Sequence, residues 1–312
     1  MGTYTQLSQK ELQSIIDLYG FGQITSYSSL ALGISNSNYK VTTAQGDYVA
    51  KVSNDKDAAS LESEQNILYR INNLGFHYCP AAYETKNGEK VYHHKNHFGT
   101  VSPFITGHAP EINENTAFQI GKTLGNLHKL SEGADLSDLR THEQVGYDAI
   151  DIQTYVNSSP ECPEDFKEIF HSLFSDQLEG YCTQKFPSGL IHGDLYYDNT
   201  LFEDGNIHTL IDFEQSGVGP FIFDIGVSIS GTCLIDGVIS CALTEKFLEG
   251  YNHERKLESN ESQFMSEAIL VGLLSISLWR IKRFVVGDID PSKVENYKEL
   301  LSIARDYHKA LK

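Results

Sequence analysis

No apolar run in the 312-residue sequence approaches the roughly 20 residues that a membrane-spanning helix needs. The N-terminal stretch also lacks the basic-then-apolar order of a secretory signal, so a cytoplasmic protein with no membrane partner is expected. Cysteine is scarce: Cys79, Cys162, Cys182, Cys233 and Cys241 are odd in number and no two form a C-x-x-C pair. That excludes a disulfide framework and a zinc ribbon and predicts free, mostly buried thiols. Basic charge is in deficit, with 24 Lys and Arg against 42 Asp and Glu and a formal net charge of −18. An acidic surface repels phosphate backbones, which argues against nucleic acid and weakly favours a cationic small molecule. Finally, neither the G-x-x-x-x-G-K-[ST] P-loop nor the G-x-G-x-x-G loop occurs.

What is present is the composition of a folded chain, 40% hydrophobic and 21% charged. "SQKELQSIIDLYGF" places Leu12, Ile15, Ile16 and Tyr19 at helical spacing, with Ser8 as cap and Gly20 as stop. "SNSNYKVTTAQGDYVAKVS" reads as two strands turning at Gln45, Gly46 and Asp47. "AASLESEQNILYRINNLGF" reads as a helix, and "EKVYHHKNHFGTVSPFI" as a hairpin. Strand, strand, helix, strand, strand predicts a small sheet with one helix upon it. After Thr106 and Gly107 the pattern turns mostly helical, beginning with "NTAFQIGKTLGNLHKL" capped at Asn115. The exception is residues 189–213, where "GLIH" and "HTLIDF" flank a polar cluster. The expected organisation is α+β, with a small antiparallel sheet-and-helix lobe over residues 1–105 and a larger, mainly helical lobe over 106–312.

The polar cluster, "LIHGDLYYDNTLF", carries the chemistry. Asp194 and Asn199 stand in the D-x-x-x-x-N spacing of a kinase catalytic loop, where the aspartate accepts a hydroxyl proton and the asparagine oxygen holds Mg²⁺. Asp212 in "HTLIDFE" follows an apolar strand, and a strand–turn–strand hairpin brings positions 199 and 212 side by side. One carboxylate and one amide oxygen, completed by phosphates and water, suit Mg²⁺. Either fragment alone is an ordinary turn or cap; both at this spacing read as a phosphotransferase site. A second set agrees. Lys51 lies in the strand "DYVAKVS", placed to meet the α- and β-phosphates of a nucleotide, and Glu64 in the next helix is its partner. Glu62, two positions away, falls on roughly the opposite helix face. Upstream, "LGISNSNYKV" holds Gly33 and small polar residues between two strands, a loop whose N–H groups and Ser35 or Ser37 hydroxyls would cover the phosphates.

"HGDLYYDN" followed by "IDFE", after the lysine strand and glutamate helix, resembles the aminoglycoside phosphotransferase and choline kinase superfamily, small-molecule kinases of protein-kinase-like fold. Within it, "GISNSNYKV", "NNLGFHYCP", "ITGHAPEIN", "GNLH" and "GPFIFDIGVSISGTC" resemble bacterial type II homoserine kinases most. The resemblance implies Asp194 as catalytic base, Asn199 and Asp212 as Mg²⁺ ligands, and Lys51 with Glu64 as the nucleotide-positioning pair. It implies that His192 supports the loop, that Asp224 in "FDIG" braces it through hydrogen bonds, and that the segment Val101 to Ile105, including Pro103, pairs its backbone with adenine. ATP and Mg²⁺ are the implied cofactors and a small amino-bearing alcohol the implied acceptor: homoserine first, then an aminoglycoside, choline or ethanolamine. No A-P-E segment follows Asp212, the position an activation loop would give it, and few residues separate Asp212 from Asp224, so a protein substrate is not expected. A monomer or homodimer is expected. The reading of a different class, a nucleotide-binding regulator without turnover, calls for a missing base or metal ligand, and none is missing.

Overall fold

The computed structural model describes residues 5–30, 36–54, 56–287 and 290–312. The chain forms two compact units, one of residues 1–73 and 79–106 and the other of 74–78 and 107–312. The first unit runs α1 (Gln9–Tyr19), β1 (Ile24–Leu30), β2 (Asn36–Thr43), β3 (Gly46–Ser53), α2 (Ala58–Asn73), β4 (Tyr92–His94) and β5 (His97–Pro103). All strand pairs are antiparallel and the order is β1-β2-β3-β5-β4. Helix α1 begins with Ser8 and Glu11 capping each other's backbone N–H, and ends at Gly20 in the left-handed region. Its buried residues Leu12, Ile15, Ile16 and Tyr19 join Tyr39, Val41, Ala50, Val52 and Val101 in one core.

Among the described residues the sheet has five strands where the four-strand pattern expected one fewer. In β1 only Ile24 is buried, so the edge strand "ITSYSSL" has no alternation to read. The β2–β3 turn lies one residue or so earlier than expected, with Thr43 opposite Gly46.

The second unit runs α3 (Glu114–Ser131), α4 (Ala149–Ser158), α5 (Glu164–Leu173), α6 (Glu179–Cys182), β6 (Ser188–Ile191), β7 (Thr200–Glu203), β8 (Asn206–Leu210), β9 (Gly217–Pro220) and α7 (Phe221–Thr232). It continues with the short hairpin β10 (Leu234–Ile235) and β11 (Val238–Ile239), then α8 (Cys241–Glu254), α9 (Ser259–Gln263), α10 (Met265–Arg280) and α11 (Tyr297–Leu311). Helix α3 is capped by Asn113 and not by Asn115, because the Asn113 side chain reaches the N–H groups of Asn115 and Thr116. Glycines let helices touch: a Cβ on Gly121 would stand 2.0 Å from the Phe247 carbonyl oxygen of α8. The two apolar runs around the polar cluster do not pair with each other; β6 pairs with β9, and β8 pairs with β7. Residues 74–78 belong here because the Tyr78 carbonyl accepts from the Leu210 N–H and the Thr209 hydroxyl of β8.

All five cysteines are free: Cys79, Cys162 and Cys233 are buried, Cys182 is half-buried and Cys241 is exposed. Burial pushes the Cys79 thiol up to about 12, which makes it inert. Among the described residues, no helix is long and apolar enough to cross a membrane.

Candidate functional site

In the first unit, Lys51 occupies β3 between Asn38 of β2 and Thr100 of β5. Its Nζ lies 3.6 Å from Oε1 of Glu64, whose side chain is 5% exposed. Lys56 approaches the other carboxylate oxygen at 3.8 Å, a contact the spacing did not foresee. Glu62 is exposed, on the face away from this pair. A strand fixes the lysine and a helix one element later fixes its counter-ion, so two ordered segments share the cost of holding both side chains.

The other residues named for nucleotide contact fare unevenly. Gly33 and Ser35 lie outside the described residues. Ser37 sits within β2 opposite Val52, and its buried hydroxyl accepts from the Thr5 N–H at 2.9 Å and the Asn54 amide at 3.1 Å. It anchors the N-terminal segment instead of standing in an open loop. Val101 is likewise committed: it pairs with Ala50, and its carbonyl accepts from the Tyr83 N–H at 2.8 Å. Pro103 has no N–H to offer, and the Phe104 N–H donates to the Asp47 carbonyl. Ile105, just past β5, ends the segment.

In the second unit the polar cluster is a tightly wired loop. The β7–β8 hairpin puts Thr200 opposite Leu210, and the Ile211 N–H donates to the Asn199 carbonyl at 2.9 Å, so Asn199 and Asp212 stand at adjacent strand ends. The Asn199 Nδ2 donates to the Asp194 carbonyl at 2.7 Å. That bond commits the amide nitrogen and fixes the oxygen as the acceptor side. Asp212 adopts φ 63° and ψ 59°, the left-handed region that non-glycine residues rarely enter. The turn after it is clamped by Arg140, which donates to the carbonyls of Ser216 at 2.8 Å and Glu214 at 3.0 Å.

Behind the loop stands Asp224 of α7, fully buried. Its Oδ2 accepts from the His192 N–H at 2.8 Å and its Oδ1 from the Gly193 N–H at 2.8 Å. Burial by itself would raise this carboxyl, but the hydrogen bonds it accepts from His128 and the His192 N–H outweigh it and hold the group below the usual range. The His192 ring is neutral, since burial presses its pKa down. A carbonyl can only accept, so Nε2 carries the proton donated to Ile211 O at 2.9 Å, and Nδ1 accepts from the Asp194 N–H at 3.3 Å. His192 thereby ties the Asp194 backbone to the strand end beside Asp212. The Asp194 carboxyl is pushed well above its usual range, first by burial and then by the carboxylates of Asp212, Asp198, Glu214 and Asp224.

Gly193 shows how tight the loop is. Its φ is +80°, and a Cβ there would lie 2.4 Å from the Gln215 carbonyl oxygen. Gly193→Ala is expected to cost about 1–3 kcal/mol, the worth of one strained backbone position, and to lower kcat. Chemical denaturation together with initial rates would check both, and an alanine variant of wild-type stability would show the loop to be looser than described.

These two sets, a strand lysine with a helix glutamate and an Asp–Asn loop beside an Asp at a hairpin end, match a family. The model described as "Phosphotransferase enzyme family" covers residues 26–258. The chain belongs to that family. It is a small-molecule phosphotransferase. A homoserine kinase of Gluconobacter oxydans is 23% identical over 264 residues, covering 84% of this chain and 83% of the relative. An amicoumacin kinase solved with AMP-PNP, Ca²⁺ and amicoumacin superposes with a TM-score of 0.74 at 16% identity, covering 98% of this chain and 97% of that one. A microcompartment-associated aminopropanol kinase gives 0.68 at 17% identity, covering 97% and 98%. At such identities these structures establish the fold, a protein-kinase-like one with a small antiparallel sheet and a helical second part.

Several residues of this phosphotransferase escaped the sequence reading. His128, in the "GNLH" helix, hydrogen-bonds Asp224 with Nε2 at 3.0 Å, a partner 96 residues away that no local spacing signals. Gln215, with its amide turned to satisfy both neighbours, donates to Val145 O at 2.7 Å and accepts from Trp279 Nε1 at 3.1 Å. The small residues "SISGTC" after "DIGV" make room for an aromatic ring: a Cβ on Gly231 would stand 2.2 Å from the Tyr196 ring, whose hydroxyl meets Ser230 at 3.2 Å. A glycine that far from its contact in sequence carries no local signal.

Proposed function

We propose that the chain transfers the γ-phosphoryl group of ATP to the hydroxyl of a small amino-bearing metabolite, homoserine before any other. The arrangement of Asp194, Asn199 and Asp212 around one hairpin end carries the reading. Asp194 takes the acceptor proton, held by the His192 ring on its N–H and the Asn199 amide on its carbonyl. Lys51, steadied by Glu64, neutralises the α- and β-phosphates, and the backbone after β5 meets adenine through the Ile105 N–H.

Asn199 and Asp212 would hold Mg²⁺. The donor set fits: one amide oxygen and one carboxylate, both hard, at adjacent strand ends and amid crowded negative charge. Among the described residues no three His, Cys, Asp or Glu side chains gather into an all-protein cage, and Mg²⁺ commonly takes few protein ligands and keeps water and phosphate oxygens. When bound, the ion supplies positive charge against the phosphates.

The names of the relatives support the acceptor class, since homoserine and aminopropanol are both small alcohols bearing an amino group. An acceptor panel read by ADP release tests it. L-homoserine should give a higher kcat/KM than aminopropanol, choline or kanamycin; a panel in which another of these wins would overturn the choice of homoserine. Lys51→Ala should raise the apparent KM for ATP and lower kcat. A change confined to the acceptor KM would remove Lys51 from the nucleotide site.

A further inference from the structure

A chain of buried side chains runs from the surface of the second unit to the back of the catalytic loop, and its hydrogen-bond direction is the same read from either end, a guanidinium that only donates and a carboxylate that only accepts. Arg255, the residue closing α8, is 4% exposed. Its Nη1 donates to both oxygens of Glu261, at 3.1 and 3.0 Å, and its Nη2 to Oε1 of Glu132 at 3.1 Å. The same Nη1 lies 3.1 Å from the Tyr251 hydroxyl oxygen. The Tyr251 hydroxyl in turn meets His128 Nδ1 at 2.8 Å, and His128 Nε2 meets Asp224 Oδ2 at 3.0 Å. Glu261, Tyr251, His128 and Asp224 are each 0% exposed, so water cannot substitute for any link.

A guanidinium only donates. Tyr251 must therefore accept from Arg255, which turns its own O–H toward His128 Nδ1. With Nδ1 accepting, the neutral imidazole carries its proton on Nε2 and gives it to Asp224. Burial keeps His128 neutral. The Asp224 carboxylate, so oriented, is left to receive the N–H groups of His192 and Gly193, the two residues before Asp194. Phe221 packs the chain from one side, stacked on His128 at 4.4 Å between centroids and lying 4.6 Å from the Arg255 guanidinium carbon.

We propose that Tyr251 and Arg255 are positioning residues for phosphoryl transfer: the Tyr251 hydroxyl, anchored by Arg255, holds the His128 ring by Nδ1 in the tautomer and orientation whose Nε2–H meets Asp224, and through that bond steadies the backbone of the catalytic loop. The proposal rests on Asp194 being the base. Tyr251 is 0% and Arg255 4% exposed, which leaves neither open to substrate, so their loss should slow chemistry without weakening binding.

The test is Tyr251→Phe, which removes one oxygen and keeps the ring. We expect kcat to fall roughly 10-fold, the lower end of what losing an outer supporting hydrogen bond costs a site. KM for ATP and for the acceptor should stay within about twofold, as for an interaction that matters in the transition state alone. Amide hydrogen exchange should quicken at His192 and Gly193 and stay unchanged in β2 and β3. Wild-type kcat, or exchange that quickens equally everywhere, would overturn the proposal. Should that variant not fold, Arg255→Lys and Arg255→Gln decide. Lysine remains a pure donor and should retain most of kcat, whereas the glutamine amide can turn an oxygen to Tyr251 and should lose it; equal rates would again overturn the proposal. Asp194→Asn run alongside separates the two readings. If it turns over normally the base assignment fails, whereas a dead Asp194→Asn beside a fully active Tyr251→Phe removes only the positioning role.

Discussion

Asp194→Asn is expected to lower kcat by roughly 10²–10⁴-fold, the usual worth of a positioned acid–base group. The substitution keeps the shape of the side chain and removes its ability to take a proton. The contacts that place the residue are made by its backbone, the N–H to His192 Nδ1 and the carbonyl to Asn199 Nδ2, so they survive the change. Replacing a buried carboxyl crowded by Asp212, Asp198, Glu214 and Asp224 with a neutral amide also relieves repulsion. The variant should therefore be at least as stable as wild type, with ATP binding almost unchanged. Rates from ADP release, nucleotide binding by calorimetry and a denaturation curve check the three statements together. Normal turnover would sink the catalytic-loop reading whatever the acceptor proves to be.

Asp212→Ala should abolish measurable turnover, a loss at least as large. Its carboxylate is the one full negative charge in the pair proposed to hold the cation, and without it the phosphate charge in the transition state is left uncompensated. The fold should persist. Asp212 lies past the end of β8, and Arg140 holds the turn that follows through the backbone carbonyls of Ser216 and Glu214. Alanine is less at ease than aspartate at φ 63°, so a cost of about 1 kcal/mol is expected from the backbone. Near-normal rates in a folded variant at saturating Mg²⁺ would exclude Asp212 as a ligand. Partial rescue by Mn²⁺ or by raised Mg²⁺ would support it.

What could be read directly was local. The period of α1 and its Ser8 and Gly20 signals sufficed because capping and amphipathicity are decided within a few residues. The hairpin that brings Asn199 to Asp212 was readable because one turn joins two short strands. The same logic misplaced the α3 cap, where Asn113 and Asn115 are both good caps and only the chain's approach chooses between them. It also assigned Ser37 to a loop, although the serine's hydroxyl is bound by Thr5 and Asn54, one far away in sequence and neither part of any motif.

By itself, then, the sequence determined the class of the chain: the elements, the Lys51–Glu64 and Asp194–Asn199–Asp212 spacings, and with them phosphoryl transfer. Tertiary structure alone decided how those residues are held. Asp224 reaches His192 and Gly193 across about 30 residues, and His128 reaches Asp224 and Tyr251 across separations of 96 and 123. Spacing reports only contacts made within a helix turn or across a hairpin. A buried hydrogen bond between distant segments is set by which helices pack together, and here glycines such as Gly121, where α3 meets α8, let the backbones come close enough for those side chains to meet.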